Sequence, residues 1–216
     1  GAASWDISAG KNSDYGGNLG ITFTTPLYNY WVGHSGSWSD VTHWASTETG
    51  VGGTGRVPIP QDIAVFGVYS FPVITGRIVT MDVTDICSIN ATQALNTPTF
   101  TSTVGTLNCY GNLDLGTVVW NPAITFKNRL GISTITTLST LVGAVGIDTV
   151  NQVVYFQSNA VLSSSLTLTS GYLNLFGYSI TAASYDSSTD TSERHFLMGA
   201  GTLTLNSTAA VTKWHV

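Results

Sequence analysis

Charge is what this chain has least of. Only 9% of its 216 residues are Asp, Glu, Lys or Arg, against about 25% in an average soluble domain. Lys and Arg number 7 and Asp and Glu 12, a net charge of -5. That balance lacks the basic footprint of a nucleic-acid binder. Glutamate is nearly missing, with Glu48 and Glu193 alone, which leaves little material for paired-carboxylate chemistry. Asn-Gly and Asp-Gly, the favoured two-residue hairpin turns, do not occur. No apolar run approaches the ~18 residues of a membrane span. HExxH, CxxC, Gly-x-Ser-x-Gly, phosphate-loop and dinucleotide patterns are all missing, so no metal or cofactor is expected. The chain opens on Gly1 with no signal-peptide pattern, and reads as a processed product or an excerpt of something longer.

Polarity comes instead from Ser, Asn, 23 glycines and 32 threonines. The threonines sit mostly in alternating runs, where β-branched side chains suit a pleated surface. With 43% hydrophobic and 11% aromatic residues, the chain has material for a packed core and is no low-complexity tract. Cys87 and Cys109 fall in strand-like segments and read as small buried apolar residues; a disulfide between adjacent coils is the alternative.

Short alternating segments at 78–83, 106–110, 118–120, 124–126, 132–136, 153–156, 166–169, 172–176, 179–182 and 202–205 predict strands, at the cadence of an all-β protein. Residues 138–145 alone hold a stripe that could form a short helix. Three phrases look alike: Gly105-Thr106-Leu107-Asn108-Cys109-Tyr110-Gly111, Gly171-Tyr172-Leu173-Asn174-Leu175-Phe176-Gly177 and Gly201-Thr202-Leu203-Thr204-Leu205-Asn206. Strands with period 2 bury an apolar face only by stacking, as in a parallel β-helix or β-solenoid. Phe176-Gly177 and Tyr110-Gly111 sit where such a coil would turn a corner. A β-sandwich or jelly roll is the alternative. The organisation expected is an N-terminal arm and first strand (1–27, with Trp5 and a strand at 21–24), an aromatic-rich entry or cap segment (28–77), and solenoid-like repeats (78–216).

Two stretches carry a resemblance. Tyr30-Trp31-Val32-Gly33-His34-Ser35-Gly36-Ser37-Trp38-Ser39-Asp40-Val41-Thr42-His43-Trp44, with Val57-Pro58-Ile59-Pro60-Gln61-Asp62-Ile63-Ala64-Val65-Phe66, resembles the entry segment of repetitive parallel β-helix fibre and adhesin proteins of phages and bacterial surfaces. The Trp-Ser-Asp, Trp, Val-Pro and acidic-residue order is similar to that of G8-type extracellular modules. Gly171 to Thr181, and Ser187 through Arg194 to Leu205 and Trp214, resemble terminal coils of such fibres. His34 departs from the pattern, where glycine is commoner, and 141–156 is unusually apolar. The resemblance implies a surface or virion structural role and carries over no catalytic residue.

The cluster Trp31, Trp38 and Trp44 with Tyr30, Asp40 and His43 has two readings. One is a glycan platform, with rings stacking on sugars and Asp40 and His43 bonding hydroxyls. The other is an end cap sealing the solenoid core. Asp62 after Pro58-Ile59-Pro60 is expected to accept backbone N–H bonds at a turn. Asp82 and Asp85 could form a glycosidase pair, but a solvated turn accounts for them better. His34, His43, His195 and His215 show no ligand spacing. The acidic loop 186–193 fits no EF-hand, and Asn90-Ala91-Thr92 and Asn206-Ser207-Thr208 match glycosylation acceptors.

The sequence therefore predicts a non-enzymatic structural protein of the virion surface: a phage tail fibre, spike or capsid-surface fibre mediating attachment. Self-association as a homotrimer, other virion or surface proteins and host glycans are the expected partners, with neither nucleic acid nor membrane among them. A bacterial cell-surface adhesin or carbohydrate-binding module is the first alternative, and a polysaccharide depolymerase the second.

Overall fold

The computed structural model describes residues 26–128, 131–187 and 192–207 and the backbone of the strand Trp214–His215. The expected arm, Trp5 and the strand at 21–24 lie outside the described residues.

The chain winds into a parallel β-solenoid of about seven turns, each coil running through three faces in turn. The first face stacks Tyr28–Trp31, Ile63–Val65, Ser88–Ala91, Leu113–Leu115 and Ile132–Thr137 in parallel, then the ends of Val145–Phe156 and Ser165–Asn174, then Arg194–Leu197. The second stacks Gly36–Ser37, Ile78–Met81, Thr99–Ser102 and Val119–Trp120. It continues through single bridges at Leu141 and Leu162, then Ile180–Ala182 and Leu203–Leu205. The third stacks Asp85–Ile86, Thr106–Cys109, Ala123–Phe126, the starts of the two long strands, Ser184–Asp186 and Trp214–His215. Parallel pairing between successive coils rules out the sandwich and jelly roll.

Period-2 alternation sends every second side chain inward. On the second face the inward column is Val79, Phe100, Trp120, Leu141 and Leu162, at steps of 20 or 21 residues. On the third it is Ile86, Cys109, Phe126, Ile147 and Leu168. On the first it is Ala64, Ile89, Leu113, Ile135 and Phe156. All are buried and belong to one continuous core cluster. Burial stabilises by about 25 cal/mol per Å² of apolar surface, and since no coil buries its own face, each stabilises only its neighbours.

The structure corrects two expectations. The look-alike phrases do not stack on one another: Thr106–Cys109 lies on the third face, Tyr172 to Asn174 on the first and Leu203–Leu205 on the second. They share a strand pattern because every face imposes one. Residues 138–145 are not helical; Leu141 bridges Trp120 and Leu162, and a single 3-10 turn, Val41–His43, is the helical element among the described residues. Tyr28–Trp31 and Gly36–Ser37 of the aromatic-rich segment pair in parallel with the coils that follow. The aromatic segment is the first coil of the solenoid.

That first coil is closed by the one antiparallel pair, in which Trp44–Ala45 runs back along Tyr28–Trp31. The glycine-rich loop covers it in turn, Gly53 and Gly55 both donating to the Trp44 carbonyl at 2.9 and 3.1 Å. A Cβ at Gly52 would lie 1.8 Å from the Thr42 carbonyl oxygen, so the loop reaches this edge only with glycine there. Covering this edge of the first face shields it from pairing with another chain.

Candidate functional site

Trp31, Trp38 and Trp44 each have 0% of their surface exposed. A ring with no free face cannot stack on a sugar, which overturns the platform reading and leaves the cap. Trp44 packs edge-on against Trp31 (5.2 Å, 86°) and Trp38 (4.9 Å, 71°) and against Phe66 (5.8 Å, 70°). Phe66 meets Phe100 at 4.9 Å, and Phe100 meets Trp120 at 5.3 Å. The cap is thus the end of an aromatic column that enters the core, each contact adding about 0.5–1.5 kcal/mol beyond burial. The indoles donate to the carbonyls of His34 (Trp31, 3.0 Å) and Trp38 (Trp44, 2.8 Å).

His43 and Asp40 serve the same cap. The His43 ring stacks on Trp31 at 4.6 Å and 5°, and its Nδ1 lies 3.1 Å from the Val32 carbonyl; a carbonyl only accepts, so Nδ1 carries the proton. Gly36 makes room for it, since a Cβ there would sit 2.1 Å from His43 Nε2. Asp40 accepts from the Thr42 hydroxyl and amide at 2.7 and 2.9 Å. It caps the 3-10 turn, and those bonds hold its carboxyl below the usual carboxylate range.

Asp62 is buried and accepts backbone N–H bonds as expected, from Leu27 and Ile59 at 3.0 and 3.1 Å. It also takes Asn29 Nδ2 at 3.2 Å and a two-pronged contact from Arg56, Nε at 2.9 Å and Nη2 at 2.5 Å. Arg56 is a partner that sequence spacing did not reveal. Asp82 receives the amide and hydroxyl of Ser39. Asp85 receives Thr84, Asn108 and Tyr110. Each carboxylate ties one coil to another.

Cys87 and Cys109 are both free and buried. Burial pushes the Cys87 thiol well up, and that of Cys109 up to about 12, from an ordinary 9.0. Exposed in the unfolded chain, these thiols ionise first as pH rises, so protons are lost from the unfolded state before the folded one. Their contribution to stability is therefore complete below pH 9 and declines as pH climbs toward about 12. The native protein is expected to resist a thiol-specific reagent at pH 8 and to titrate two thiols in denaturant. Rapid labelling without denaturant would contradict this burial.

The outer surface of the first face does offer rings to solvent. Outward columns there read Ile132, Val153, Tyr172, His195 and, two residues along each strand, Thr134, Tyr155, Asn174, Leu197. Tyr172 and His195 stack at 4.4 Å and 5°, and His195 Nε2 meets Glu193 at 2.6 Å. Phe176, at the corner leaving this face, is 68% exposed and meets Tyr155 edge-on at 5.8 Å. Its φ of 51° is left-handed, a strained conformation for a bulky residue. Asn174 Oδ1 holds the turn by accepting the Phe176 amide at 2.8 Å.

Between this turn and the next coil lies a groove of about 620 Å³, lined by Asn174, Phe176, Leu197 and Met198 among others. The exposed Phe176 ring, the half-buried Tyr155 and Tyr172 beside it, an amide and an open groove suit a ligand with flat apolar faces and hydroxyls. The sequence carried the signal: Leu173 and Leu175 point inward, so Tyr172, Asn174 and Phe176 must point outward.

Comparison with protein-family models, with curated proteins and with solved structures gives no match.

Proposed function

We propose that this chain is a non-enzymatic attachment module of a surface fibre, a phage tail fibre, spike or capsid-surface component, that binds host glycans through the outer first face. Copies lie side by side as a homotrimer, so that weak single sites act together. The observation that carries this reading is the ridge of Tyr155, Tyr172, His195 and the strained, exposed Phe176 on a rigid ladder. Strands spaced about 4.8 Å apart hold the rings without a loop to order on binding, which lowers the entropic cost of capture.

Depolymerase activity is not favoured by Asp82 and Asp85, whose oxygens are engaged by Ser39, Thr84, Asn108 and Tyr110. A glycan array tests the binding. Phe176→Ala and Tyr155→Ala are each expected to weaken capture roughly 5- to 30-fold, the 1–2 kcal/mol of a contact near the centre of an interface. No binding across a broad panel, or binding indifferent to both variants, would refute the proposal.

A further inference from the structure

The second face differs from the other two in chemistry. Its strands, from Gly36–Ser37 through Leu203–Leu205, contain no ionisable side chain. The first face carries Asp114, Arg194 and His195, and the third carries Asp85, Asp148 and Asp186. Along the outward column of the second face, Ile78 pairs with Thr99 and Thr99 with Val119, then Val161 with Thr181 and Thr181 with Thr204. Every one of these is β-branched. Ile78, Val142 and Val161 are 45–48% exposed and Val119 is 37% exposed.

We infer that the second face is the surface through which identical copies of this chain pack against each other. The inference rests on the self-association proposed above and names the face that performs it. With a net charge of -5, two copies meeting on the third face would bring Asp85, Asp148 and Asp186 against their own copies, and on the first would take Asp114 and Arg194 out of water, whereas the strands of the second face meet their like with no charge to repel or desolvate. β-Branched side chains are stiff at χ1 and lose little rotamer freedom when covered. Strands at about 4.8 Å spacing make the column a straight, regular strip, and a strip of this kind is complementary to its own copy. The arrangement leaves Tyr155, Tyr172 and His195, which stand on the first-face strands, outside the contact.

The test is molar mass in solution by light scattering, on the full chain. The parent is expected at a multiple of the single-chain mass. Val161→Lys is expected to reduce it to one chain with an unchanged melting temperature. Asn121→Lys, at an exposed position of the same face that is already polar, does the same and decides the matter if Val161→Lys unfolds. Ile132→Lys on the first face and Thr106→Lys on the third, both exposed, keep the parent mass. A parent of single-chain mass at every concentration, or lysines on the second face that leave the mass unchanged, would overturn the inference. Glycan capture is read separately: a single-chain Asn121→Lys variant that still binds, but weakly, keeps the ridge reading whatever the mass shows.

Discussion

Trp44→Ala is expected to cost about 3–5 kcal/mol of folding free energy, the range for truncating a fully buried tryptophan. Total stability of a domain is about 5–15 kcal/mol, so this one change removes a large share of it. The ring touches Trp31, Trp38 and Phe66, and its indole bond to the Trp38 carbonyl goes with it. The location of the loss matters as much as its size. In a stack whose coils stabilise only their neighbours, damage at the end frays the end. Hydrogen exchange should accelerate in the first coils while the third-face strands from Ala123–Phe126 onward keep their protection. Trp120→Ala, in the middle of the column beside Phe100, is expected to cost a similar amount but to weaken both halves. A Trp44→Ala protein melting within about 1 kcal/mol of its parent would mean that the cap is not packed as described.

Asp62→Ala is expected to be as damaging, about 3–5 kcal/mol, because it breaks a buried ion pair from its buried side. Asp62 has no exposed side-chain surface, while Arg56 keeps 30%. The guanidinium can turn to water, but the Leu27 and Ile59 amides and Asn29 Nδ2 lose their acceptor inside the protein. Asp62→Asn retains one acceptor oxygen and turns a second donor toward Arg56, so it recovers little. Chemical denaturation of Asp62→Ala, Arg56→Ala and the double variant would measure the coupling. If the two single losses simply add up to that of the double variant, the pair is not the joint that fastens the loop before Ile63–Val65 to the first coil.

Period 2, scarce charge, the missing hairpin dipeptides and glycine-marked corners were enough to read an all-β stack. The same alternation placed most strands correctly, because every face of the solenoid obeys one rule. It could not distinguish the faces from one another. That is why three similar phrases looked like a repeat and turned out to occupy three different sides of the coil. The 20- or 21-residue step from Val79 to Leu162 is carried by position, with Val, Phe, Trp and Leu filling the same inward place, so it left no shared letters to find.

The site was legible only in part. Parity along Tyr172 to Phe176 sends the aromatic residues outward, yet nothing in one strand shows that the outward ring of the next coil, His195, lies 4.4 Å away. The tryptophans invited the opposite error: a large ring is equally suited to a sugar and to a core, and exposure alone separates the two. By itself the sequence determined the alternation, and hence which atoms must leave water. Tertiary structure alone decided which rings meet across coils, that Arg56 reaches Asp62, and that the uncharged positions gather on one side, because those relations arise from closing the coil and not from any local preference.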